Sequence, residues 1–190
     1  LAAAQVTNAV LIPGYRSMYI SPTVDQTKIY SYDRVAPFLE GSPWIKKHYM
    51  SSSLAQDVFT KQLLNGSKIF LRYALLTADR IRGISVDHIC YDEVADLLLD
   101  IIPVADESMS RSFYKRRHFT GTPKTTRTAL AHFWSRSTKN EWFVKCGSCA
   151  RYNYLDEKNI GKKGLICRYC GNLLDPKNGV WSRTGEETAP

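Results

Sequence analysis

No stretch of this 190-residue chain is apolar for long enough to span a bilayer. Nor does it open with the charged and then apolar segments of a secretion signal. Both absences argue against a membrane role. Internal repeats and low-complexity blocks are missing, so stacked-repeat and compositionally biased classes are set aside. Cysteine is rare outside one region. Four of the five lie between Cys146 and Cys170, which argues against a disulfide framework and for metal in a reducing compartment. The four histidines, His48, His88, His118 and His132, show no ligand spacing. The phosphate-cradling pattern Gly-x-x-x-x-Gly-Lys-Ser/Thr is absent. Gly121-Thr122-Pro123-Lys124-Thr125 lacks its Gly-Lys pair, and Gly161-Lys162-Lys163 lies among the cysteines. An initiating Met is also lacking. Leu1 to Val6 reads as the end of a helix begun upstream, so a fragment is expected.

What is present suits one α/β domain with a small appendage. The chain is 44% hydrophobic, enough for a core, and 23% charged. Its net charge of +8 favours a polyanionic partner, nucleic acid first, against the alternative of a merely solubilising surface.

In chain order, a helix ends near Ile12 and Pro13-Gly14 breaks it. Residues 16–21 read as a strand, and Thr23 or Asp25 can cap a helix over 24–39 that Pro37 distorts at its end. Gly41-Ser42-Pro43 is a connector. Asn65-Gly66, between runs 58–64 and 68–75, signals a hairpin suited to the edge of a parallel sheet. A polar loop, 77–85, precedes a strand over 86–91. A helix begins at Asp96, is interrupted by Pro103, and continues from Val104 toward Tyr114. Lys115-Arg116-Arg117-His118 is a basic patch or a solvated helix end. A second strand is expected at 118–120 and an amphipathic helix at 126–136. Strands alternating with helices imply parallel pairing with right-handed crossovers.

Two features carry chemistry. Ile89 to Tyr91 is an apolar run closed by Asp92-Glu93, two carboxylates at the C-terminal tip of a strand, where open α/β sheets bind ligands. One acid could hold Mg²⁺ while the other acts on an attacking water; alternatively, both simply favour a helix first turn. The second feature is Cys146-x-x-Cys149 with Cys167-x-x-Cys170, separated by seventeen residues. Two such knuckles supply the four sulfurs of a structural Zn²⁺ site, with disulfides or a redox dithiol as alternatives. Ala150 and Gly171 suit the knuckle turns, and 151–155 and 164–166 read as short ribbon strands. Cys90 is expected to pack in the core.

Taken together, Ser21-Pro22-Thr23 to Gln26, Asn65-Gly66-Ser67, Arg80-Ile81-Arg82-Gly83, Tyr91-Asp92-Glu93 and Thr120-Gly121-Thr122-Pro123 resemble the ATPase domain of the large terminase subunit of tailed bacteriophages. The resemblance covers roughly residues 1–140. It implies a partial RecA-like P-loop ATPase core at 1–140, a zinc ribbon at 141–182 and a tail at 183–190. It implies a motor that drives double-stranded DNA into a capsid with ATP and Mg²⁺, working in the host cytoplasm. Implied partners are the portal, the small terminase subunit and further copies in a ring. By the same resemblance, Asp92 holds Mg²⁺ and Glu93 polarises the attacking water. Thr120, Gly121 and Thr122 couple phosphate state to DNA grip, with an ordinary β-turn as the plain alternative. Arg82, then Arg80, is the arginine finger, or else a surface arginine. With no phosphate loop, the 190 residues alone are expected not to hydrolyse ATP.

Two other readings compete. A superfamily-2 helicase or remodeller also joins Asp-Glu to a later Thr-Gly-Thr-Pro-like motif, but Ala95 stands where its usual motif needs His or Asp. A non-enzymatic zinc-dependent nucleic-acid-binding module is the third.

Overall fold

The first helix, α1 (Ala2–Leu11), ends where sequence analysis places its end, and β1 (Arg16–Ser21) follows. The computed structural model describes residues 1–74 and 76–185. These form two compact units, divided between His132 and Phe133.

In the larger unit, Thr23 caps α2 (Val24–Ile29) in a reciprocal box with Gln26. A π-helical turn over Tyr30–Val35 leads into α3 (Ala36–Glu40). The expected distortion lies before Pro37 and not at the helix end. Pro37 brings no N–H to the preceding turn, which widens, and the helix then continues past it. Ser42 caps a helix absent from the sequence reading, α4 (Pro43–Tyr49), with Pro43 in the first turn.

The hairpin forms between β2 (Thr60–Gln62) and β3 (Lys68–Tyr73), antiparallel and shorter than expected; Leu75 lies outside the described residues. Its turn has a further task. The Asn65 Nδ2 donates to the Ala9 carbonyl at 2.8 Å, satisfying an orphan carbonyl at the end of α1.

Next come β4 (His88–Tyr91), α5 (Ile101–Asp106) and β5 (Arg116–Phe119). The expected interruption at Pro103 does not occur. Pro103 sits in the first turn of α5, where an N–H would find no partner. The basic run is not a helix end: Arg116 to His118 lie in β5. Arg117 pairs with Asp106 at 2.8 Å.

The sheet order is β2-β3-β1-β4-β5, parallel except for β2. Strand alternation divides its buried residues between two faces. Tyr19, Ile69, Leu71 and Cys90 pack with Val6, Ala9 and Val10 of α1. Met18, Ile20, Phe70, Ile89 and Tyr91 turn the other way and are also buried. Burial on both faces explains why the tip of β4, Ile89 to Tyr91, reads as a continuous apolar run.

Thr128 accepts from the Ala131 N–H at the start of α6 (Ala129–Ser135), which shortens the helix expected over 126–136. In the smaller unit, β6 (Asn140–Lys145) lies between β7 (Tyr152–Tyr154) and, after two intervening strands, β10 (Gly179–Arg183). Those intervening strands are β8 (Ile160–Gly161) and β9 (Gly164–Leu165), a minimal antiparallel pair. The ribbon strands expected at 151–155 and 164–166 correspond to β7 and β9. Residues 186–190 of the expected tail lie outside the described residues. Among the described residues, no helix is long and apolar enough to cross a membrane.

Candidate functional site

Parallel pairing brings two sequence motifs together. Tyr91 faces Phe119 across β4 and β5, so the residues that follow each strand, Asp92 and Thr120, emerge side by side. Backbone bonds continue the pairing: the Thr120 N–H donates to the Tyr91 carbonyl at 2.9 Å and the Val94 N–H to the Thr120 carbonyl at 3.0 Å. Gly121 allows this approach. A Cβ there would stand 3.1 Å from the Val94 nitrogen and 3.4 Å from the Glu93 Cα.

The Asp92 carboxylate is held from three directions. Its Oδ2 accepts from the Tyr19 hydroxyl at 2.7 Å, and its Oδ1 from the Thr120 hydroxyl at 2.8 Å and the Glu93 N–H at 3.1 Å. Burial, then the bond to Asp92, pushes the Tyr19 phenol far above its ordinary pKa, so it remains a donor. The Tyr19 ring stacks on Tyr30 at 3.7 Å. Tyr30 donates to Gln5 at 2.7 Å, and Gln5 reaches Ser17 at 3.3 Å. Strand β1 and helix α1 thus fix the acid at the tip of β4. With about two lone pairs per oxygen, Oδ1 is filled and Oδ2 keeps one site for a metal ion or its water.

Glu93 differs. Its backbone is left-handed (φ 46°, ψ 45°), turning the chain sharply, and among the described residues no hydrogen bond or ion pair reaches its carboxylate. A non-glycine residue in this region is strained by an amount typical of functional sites. Thr122 is exposed beyond Gly121, and Lys124 clamps this loop by pairing with Asp96 at 2.6 Å.

Arg80 and Arg82 lie on the exposed loop after β3, anchored by the buried Ile81. The Arg80 guanidinium stands 4.8 Å over the Tyr73 ring. Among the described residues, neither arginine bonds to Asp92 or Glu93.

The four distant cysteines converge. The Cys146 and Cys170 sulfurs are 3.6 Å apart, and those of Cys149 and Cys167 3.7 Å. A tetrahedron with Zn–S bonds of ~2.3 Å has an edge of ~3.8 Å. The two knuckles share one hydrogen-bonding pattern: Ala150 N–H to Cys146 and Gly171 N–H to Cys167, at 3.0 and 2.9 Å. Both closing residues have positive φ, 59° for Ala150 and 74° for Gly171. The N–H groups of Cys149 and Ser148 lower the Cys146 pKa. Burial opposes ionisation of Cys167, yet the N–H groups of Tyr169 and Cys170 help bring its thiol down to about 6. For Cys149, the Arg151 N–H favours the thiolate, but burial and the neighbouring sulfurs push it up to about 11. Four thiolates this close repel one another; a dication removes the conflict.

A third cluster escapes sequence reading. His88, Cys90 and His118 place their donor atoms within 4.8 Å of one another. The His88 Nε2 lies 3.0 Å from the His118 Nδ1 and 3.3 Å from the Cys90 sulfur. Among the described residues, the buried His88 Nδ1 has no hydrogen-bond partner. Protonating it would create an unpaired buried N–H; burial, then the neighbouring His118 and Arg116 charges, hold His88 down at about 4. Tyr19, likewise missed, carries one sequence signal: between the apolar Met18 and Ile20, a phenol on a buried strand needs a hydrogen-bond partner.

A mostly parallel sheet with a pinned acid and a hydroxyl on adjacent strand tips defines an α/β core of the terminase-ATPase kind. The chain belongs to the family described as phage terminase large subunit gpA, ATPase domain, whose model matches residues 3–186. The match extends beyond the 1–140 resemblance and includes all four clustered cysteines. Among solved structures, the large terminase of bacteriophage HK97 is 10% identical, with a TM-score of 0.60, over 73% of this chain and 29% of that one. An arginine-to-alanine variant of the Thermus phage P74-26 large terminase ATPase domain is 18% identical, with a TM-score of 0.50, over 70% of this chain and 58% of that one. The chain therefore spans under a third of the HK97 protein and somewhat over half of the Thermus phage domain. No curated protein sequence is significantly similar to it.

Proposed function

We propose that this chain is part of a viral DNA-packaging motor that couples ATP hydrolysis to movement of double-stranded DNA into a capsid. The observation that carries this reading is the Asp92 carboxylate, fixed between Tyr19 and Thr120 beside Glu93, whose carboxylate has no partner among the described residues. In this reading Asp92 holds Mg²⁺ through the remaining site on Oδ2, directly or by water. Glu93, with no partner among the described residues competing for it, orients and polarises the attacking water. Thr120 can exchange its bond to Asp92 as the nucleotide changes state; Gly121 and Thr122 carry that change along the loop. Arg82 is the first candidate for the finger, because Arg80 is engaged with Tyr73. The four cysteines hold one structural Zn²⁺. Residues 1–140 then form the ATPase portion and 141–182 the ribbon, with 183–190 as a tail. Double-stranded DNA, the portal, the small subunit and further copies in a ring are the proposed partners, met in the host cytoplasm.

The test is magnesium-dependent ATP hydrolysis by a longer protein that contains this sequence and a phosphate loop. Glu93→Gln should lower turnover by about 10²-fold or more; unchanged turnover overturns its role. The 190 residues alone should show none, and magnesium-dependent turnover by them would contradict the reading.

A further inference from the structure

The smaller unit carries a second surface with its own chemistry. In β6, Trp142 and Val144 pack toward the four-cysteine cluster, so Phe143 and Lys145 take the opposite face. Register places Tyr154 and Val180 on either side of Phe143, and Tyr152 beside Lys145; Glu141 and Ser182 complete the face. Tyr152 is 51% exposed and Tyr154 45%. The Lys145 ammonium stands 5.8 Å over the Tyr152 ring, and Phe143 and Tyr154 are 5.9 Å apart. Another exposed ring, Tyr169, is flanked by Arg151 at 5.0 Å and Arg168 at 5.8 Å. Residues 133–190 hold ten Lys and Arg against six Asp and Glu.

Open rings on a sheet fastened at its knuckles are ready for stacking, and the cations beside them call for a polyanion. A closed duplex hides the faces of its bases; an unpaired strand offers them. Tyr152 and Tyr154 are two residues apart on one strand, hence separated by ~6.8 Å, a step an extended single strand can follow. We infer that this sheet face binds single-stranded nucleic acid, with bases on Tyr152 and Tyr154 and a phosphate on Lys145. The inference rests on the four-cysteine site fastening the unit and is independent of ATP hydrolysis.

Fluorescence anisotropy of the full chain with a labelled oligo-dT, an oligo-U and a duplex of the same length tests it, with zinc content measured in parallel. The single strands should bind at least tenfold more tightly than the duplex. The double variant Tyr152→Ala/Tyr154→Ala should lose about tenfold or more, whereas Tyr152→Phe/Tyr154→Phe should keep its affinity. Lys145→Ala should reduce the salt slope by about one. If the double alanine variant loses its metal, the phenylalanine pair and the Lys145 slope decide. Equal or tighter duplex binding, no binding to any strand, or full affinity in a metal-replete double alanine variant would overturn it.

Discussion

The Thr120 hydroxyl meets the Asp92 carboxylate at 2.8 Å, joining residues 28 apart in sequence but adjacent across two parallel strands. Replacing Thr120 with Val keeps the shape and removes the donor. Asp92 then keeps Tyr19 and the Glu93 N–H. The expected loss is about 1–3 kcal/mol of unfolding free energy, readable by urea denaturation. In the longer protein, DNA movement should fall more than ATP hydrolysis; an equal loss of both would count against a coupling role.

Gly121 tests the same junction from the backbone. Its φ of 158° and the 3.1 Å that would separate a Cβ from the Val94 nitrogen leave little room. Gly121→Ala should destabilise the chain by about 1–3 kcal/mol. It should also shift the amide resonances of Glu93 and Val94. An unperturbed spectrum would show that the two tips can part freely.

Metal removal should act on one unit. One Zn²⁺ per chain is expected, and chelation or Cys146→Ser should abolish its binding. Amide exchange should then become fast in residues 133–185 and stay slow in β1 and β4. So small a core depends on its metal. A second equivalent lost on His118→Ala would instead assign metal to the His88, Cys90 and His118 cluster.

His88 makes stability depend on pH. Its folded pKa is about 4, against roughly 6.5 when unfolded. The unfolded chain therefore takes up the proton first as pH falls. The contribution is complete above about pH 6.5, declines toward pH 4, and amounts to about 3 kcal/mol at most. Denaturation midpoints of wild type and His88→Asn should converge across that window. A constant difference between them would place the dependence elsewhere.

Local signals made much of this architecture legible. An apolar run gave β4, Asn65-Gly66 gave the hairpin, and Thr23 or Asp25 marked a helix start, which Thr23 caps. Two Cys-x-x-Cys pairs gave both knuckles, because each is a short turn with its own spacing. Prolines misled where position mattered: Pro103 begins a helix and Pro37 sits within one. β6 and β10 went unseen: β6 mixes partly buried aromatics with charge, and β10 is mostly exposed.

Sequence by itself determined which residues are the candidates for chemistry: the Asp92-Glu93 pair, the Thr120 motif and four thiols at ribbon spacing. Only the tertiary structure decided how they are held. Tyr19 reaches Asp92 across 73 residues of chain, Tyr30 and Gln5 brace it from behind, and His88 finds His118 on the neighbouring strand. Those partners share no local period or motif. They meet because parallel pairing, a long-range event, sets one strand's register against another's.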